Sequence, residues 1–164
     1  MPYTTKQQSL GLIAWLAVCY TAAVVGMLAT MNAPEIYNAL TQPSWAPPSS
    51  VFGPVWTILY TLIAISAWLV WRTTAYGSAQ QALGFFIIQL VINACWSWLF
   101  FNFLSGLWSF VNIIFLVVFA AITMVLFFKR SVAAGVLFIP YLAWICFATA
   151  LNFTVWQLNP EILG

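Results

Sequence analysis

Charge is almost missing from this chain. Of its 164 residues only 4% are charged; there is no histidine and no aspartate, and Glu35 and Glu161 are the sole acids. A soluble domain carries about 25% charged residues, so a chain that is 65% hydrophobic belongs in a membrane. The same shortage excludes functions. Acid–base catalysis loses its usual groups, and no nucleophile stands with a matching base. A net charge of +2 is too small to hold nucleic acid. Cys19, Cys95 and Cys146 lie singly in apolar runs, too far apart for a metal signature, so no metal site is expected.

Long apolar runs are what the chain does have. A spanning helix needs about 20 mostly apolar residues, and five windows qualify: 10–31, 51–71, 80–103, 107–128 and 131–158. Backbone groups in lipid must be satisfied internally, so each window is a helix. The expected fold is an all-α bundle of five transmembrane helices forming one domain over residues 1–164. The last window is longer than a span requires, which suggests tilt. The apolar stretch of the first is about 22 residues against roughly 7–15 for a signal peptide, so it reads as a span. No internal repeat points to a repeat-built transporter. The spans contain no Asp, Glu, Lys, Arg or His, which disfavours a proton-coupled exporter.

The few charges sort by side. With five spans, Lys6, Arg72, Lys129 and Arg130 share one face of the membrane, while Glu35 and Glu161 share the other. The positive-inside rule then places the N-terminus in the cytoplasm and the C-terminus outside.

Only residues 32–50 make a long connection. Pro43, Pro47, Pro48 and Pro54 fix φ and push the residues before them out of the helical region, so neither flanking helix extends far into it. Ile36, Leu40, Trp45 and Val51 give this stiff segment apolar surface with which to pack. Its pattern suits a lid over the bundle as well as a rigid interfacial turn.

Two spans carry polar and aromatic stripes. Gln89, Asn93, Trp96 and Phe100 follow at steps of four, three and four and share a helix face. Tyr141, Trp144, Ala148 and Asn152 do the same on the last span. Trp144 is roughly 20 Å from either end of its helix, too deep for the interfacial aromatic belt. The second span offers Trp56 and Tyr60, the fourth Trp108 and Asn112. Trp56 and Trp96 fall about 8 and 10 Å below the lid side, level with Asn152. An aromatic pocket with a few polar groups is one reading of these stripes; amides that tie helices together are the other.

These residues also carry a resemblance. Trp45-Ala-Pro-Pro48, Gly53-Pro-Val-Trp56, Gln89-Leu-x-x-Asn93-x-x-Trp96 and Pro140-Tyr-Leu-Ala-Trp144-x-x-Phe147-Ala-Thr-x-Leu151-Asn152 closely resemble the TspO/MBR family of tryptophan-rich sensory and translocator proteins. The resemblance implies a five-helix fold, a homodimer in the lipid bilayer, and a pocket beneath the first loop. It implies porphyrins as ligands, protoporphyrin IX or haem, with no obligatory cofactor, and a role in sensing, sequestration or transport of tetrapyrroles. It assigns Trp56, Asn93, Trp96, Phe100, Trp108, Trp144, Ala148, Leu151 and Asn152 to the pocket; Trp45, Tyr60, Asn112 and Tyr141 join them as candidates from their spacing. It also implies a second activity, light- and oxygen-dependent porphyrin degradation through Trp56 and Trp144. The chain departs from the family pattern at Asn112, where an Asp is common, and at Gln42, where a cation is usual. Phe153 and Gln157 break the cholesterol motif, so specific cholesterol binding is not expected.

Overall fold

The computed structural model describes residues 3–73 and 79–164. The expected break between the second and third spans, around Tyr76-Gly77-Ser78, lies outside the described residues for its central part. Among the described residues, five helices are long and apolar enough to cross a membrane. We number the α-helices in chain order: α1 Thr5–Ala29, α2 Ala33–Ala39, α3 Phe52–Thr73, α4 Gln80–Ser97, α5 Gly106–Phe128, α6 Val132–Leu158 and α7 Pro160–Leu163.

Local chemistry sets the ends. α1 starts earlier than its apolar run because Thr4 and Gln7 form a capping box, each side chain bonding the other's backbone N–H. The Ser131 side chain accepts from the Ala134 N–H and starts α6. α4 loosens into a π-helical turn, Trp98–Asn102, and the chain reverses at Leu104, whose φ of 49° is left-handed. Pro140 lies inside α6 without ending it. The 32–50 connection is more regular than its prolines suggest: it holds α2, with Pro34 in its first turn, and a 3₁₀ turn at Ser49–Val51.

The five long helices form a closed ring. α1 packs on α3 and α4, α4 on α5, α5 on α6, and α6 on α3. In lipid there is little hydrophobic gain in joining helices, so packing and interhelical hydrogen bonds hold them. The half of the bundle away from the lid is solid, with Ile63, Ala67, Val70, Phe86, Phe127 and Phe138 nearly or fully buried. There the Ser66 hydroxyl donates to the Ala134 carbonyl at 2.6 Å, and the Trp68 indole to the Gln8 carbonyl at 2.9 Å. α1 and α4 approach closely at Gly26, where a Cβ would stand 3.2 Å from Ser97 Oγ.

The lid half is different. A second core cluster of Tyr37, Leu40, Phe100, Leu151, Val155 and Leu163 joins α2 and α7 to the tops of α4 and α6. The Asn159 side chain clasps the lid to α6. Its Oδ1 accepts from the Thr41 N–H at 2.8 Å, and its Nδ2 donates to the carbonyls of Thr41 at 2.9 Å and Val155 at 2.7 Å. Within the lid, the Tyr37 hydroxyl donates to the Pro47 carbonyl at 3.0 Å, and Gln42 Nε2 donates to the Tyr37 carbonyl.

Candidate functional site: an aromatic cavity under the lid

A cavity of about 440 Å³ lies between the two clusters. Its size falls in the range of small-molecule sites. α1, α2, α3, α4 and α6 wall it, with the π-turn closing one corner; α5 contributes nothing. The roof is Ala33, Pro34 and Tyr37 of α2 together with Ser49. The 32–50 segment is therefore a lid rather than a turn lying off to one side. Burial pushes the Tyr37 phenol above its ordinary pKa, so its hydroxyl stays a neutral donor within the lid.

Aromatic rings make most of the wall. Phe52, Trp56 and Tyr60 recur one turn apart on α3, and all line the cavity. Trp96 stacks on Phe100 with centroids 5.6 Å apart, and Trp56 packs on Tyr60 at 5.7 Å. A chain of ring contacts links wall to lid: Trp45 meets Phe147 at 5.8 Å, Phe147 meets Trp144 at 5.4 Å, Trp144 meets Phe52 at 6.0 Å, and Phe52 meets Tyr37 at 5.2 Å.

Hydrogen bonds orient these rings. Trp96 Nε1 donates to Asn152 Oδ1 at 2.8 Å. An indole N–H can only donate, so it fixes which end of the Asn152 amide faces it and leaves Nδ2 pointing elsewhere. That Nδ2 and Trp144 Nε1 are both buried, and neither has an acceptor among the described residues. Deeper in, Asn93 Nδ2 donates to the Tyr141 hydroxyl at 3.0 Å, and that hydroxyl donates to Gln89 Oε1. Gln89 is fully buried and off the cavity; it is the interhelical tie that the sequence left open. On α1, the Tyr20 hydroxyl shares a 2.8 Å hydrogen bond with Thr61 Oγ1 of α3.

Of the candidates named from sequence, Trp56, Tyr60, Asn93, Trp96, Phe100, Trp144, Ala148, Leu151 and Asn152 all line this one cavity. Four do not. Tyr141 is completely buried beneath it, its ring 6.4 Å from that of Trp56, and supports the floor. Trp45 is 47% exposed and braces the lid through Phe147. Trp108 is 62% exposed, and Asn112 keeps a buried Oδ1 with no partner among the described residues. Both sit on α5, none of whose described residues lines the cavity. Conversely, no candidate came from α1, yet its Tyr20, Ala23 and Met27, with Thr30 at its C-cap, line the cavity. Their three- and four-residue spacing was the available signal.

The fold and the cavity define a class: a multi-pass helical membrane protein with an aromatic chamber roofed by a structured loop. The chain belongs to the TspO/MBR family, whose model matches residues 14–157. It is 37% identical over 158 residues to the tryptophan-rich protein TspO of Chlorobaculum tepidum, across 94% of this chain and 99% of that protein. It is 37% identical over 147 residues to the tryptophan-rich sensory protein of Cereibacter sphaeroides, across 90% of each. The translocator protein of Homo sapiens is 38% identical over 126 residues, across 75% of this chain and 74% of that protein.

Proposed function

We propose that this protein binds porphyrins, protoporphyrin IX or haem, and similar flat aromatic ligands in the cavity beneath its lid, and acts in sensing, sequestering or moving tetrapyrroles. One observation carries the reading: Trp56, Trp96 and Trp144, from three separate helices, line the same chamber. Aromatic faces offer a flat ring stacking partners, and the lid shields them from water. The proposal includes a homodimer in a bacterial cell membrane with the N-terminus cytoplasmic; the mass of the protein in nanodiscs tests the dimer.

Titration with protoporphyrin IX, read by quenching of tryptophan fluorescence, tests the binding. Quenching that saturates, and that weakens in Trp144→Phe, supports the reading; identical curves for both proteins remove Trp144 from the site. The shared exposure of Trp56 and Trp144 to one chamber favours a second reading, in which illuminated porphyrin reacts with oxygen through these oxidisable indoles. Porphyrin absorbance that decays no faster with the protein than in detergent alone rules it out.

A further inference from the structure

The end of the bundle away from the lid has a feature that the chamber does not use. All four cations of the chain lie there: Lys6 in the first turn of α1, Arg72 in the last turn of α3, and Lys129 and Arg130 between α5 and α6. No acidic side chain answers them, since the two glutamates stand in α2 and α7 on the lid side. A one-signed end of this kind attracts anionic headgroups in a general way, to which each of the four cations contributes.

Arg72 differs from the other three in how it is held. Its guanidinium lies over the Trp68 ring, 4.5 Å from the centroid. Trp68 is itself fixed, because its Nε1 donates to the Gln8 carbonyl of α1 at 2.9 Å. Three residues on, the Trp71 ring stacks on Tyr3 with centroids 4.3 Å apart. The start of α1 and the end of α3 are therefore locked together around the arginine. Arg72 Nε is buried without a hydrogen-bond partner, and the residue as a whole is half-buried. The negative end of the α3 dipole amounts to about half a charge, so the guanidinium lacks a full counter-ion. A charged donor desolvated without an acceptor is costly, and an anion docking here would relieve that cost.

The shape of the seat says which anion. A guanidinium laid flat on an indole keeps its edge free, and that planar fork matches two oxygens of a phosphate. Tyr3, Trp68 and Trp71 mark the end of a span, where aromatic rings sit among lipid headgroups. We propose that Arg72, held on Trp68, is a binding site for the phosphate of an anionic phospholipid in the leaflet opposite the lid.

The protein in nanodiscs of equal phosphatidylglycerol and phosphatidylcholine tests this, with the lipids that stay bound identified by native mass spectrometry. The unaltered protein is expected to retain phosphatidylglycerol in preference. Arg72→Gln should reduce that preference about fivefold. Arg72→Lys keeps the charge but loses the fork and should fall nearly as far. Lys129→Gln should leave the preference almost unchanged, and a large excess of inorganic phosphate should not displace the lipid. Equal losses in Arg72→Gln and Lys129→Gln would mean diffuse charge attraction and overturn the proposal. So would an Arg72→Lys protein that retains lipid as the unaltered protein does. Displacement by inorganic phosphate would make the site one for the free anion and overturn the lipid assignment.

Discussion

The residues that matter most are two indoles and one amide. Asn152 spends its oxygen on Trp96, so one amide on α6 fixes the orientation of an indole on α4. Trp144→Phe removes the indole N–H together with part of the flat ring face, and keeps one smaller aromatic ring. An aromatic contact is worth about 0.5–1.5 kcal/mol beyond its buried area, so affinity for protoporphyrin IX should fall by up to about tenfold. Trp108→Phe is the matched control: the ring is exposed on α5, and ligand affinity should not change. A fall in affinity at Trp108 equal to that at Trp144, in the same titration, would mean that the chamber is not the site. The contrast shows what was legible in sequence. Trp56, Trp96 and Trp144 stood out because helical spacing and depth placed them at one level. Trp108 and Asn112 had equally suggestive spacing, but a stripe on one helix does not say which neighbour it faces.

At the scale of elements, the lid shows the same division. Its prolines announced a stiff connection, and residues 32–50 are indeed pinned to the bundle. They did not announce α2, nor the clasp between Asn159 and the Thr41 backbone, a contact between residues 118 apart in sequence. No local pattern encodes a partner that distant. Asn159→Ala removes these partly buried bonds, at a cost of about 0.5–1.5 kcal/mol each. Amide hydrogen exchange at Thr41 should accelerate, and a bound porphyrin should dissociate faster. Unchanged protection at Thr41 would show that the lid is held by its apolar cluster alone. The short helix α7 is otherwise exposed and contributes to that cluster through Leu163, which is fully buried. The backbone around Gly106 leaves no room there, since a Cβ would lie 2.1 Å from the Trp156 ring.

Across the whole molecule, the closed ring of helices explains why one half is solid and the other hollow. Aliphatic, small and phenyl side chains interdigitate in the half away from the lid, while large indoles facing inward near the lid hold the helices off one another. Span number was legible because five apolar windows are separated by short polar breaks; ring order was not, because it depends on contacts between helices. The charge pattern leads to a topological prediction. In a cysteine-free background, a cysteine at Glu161 should react with an impermeant maleimide added to intact cells. One at Lys129 should react only after the cells are opened. The reverse pattern would invert the proposed orientation.

The central claim is that indoles from three helices and the lid enclose one ligand site. A structure determined with protoporphyrin IX tests it most directly. The macrocycle is expected between Trp56, Trp96 and Trp144 beneath Tyr37. A macrocycle seated on the lipid-facing surface, with the chamber empty, would contradict it.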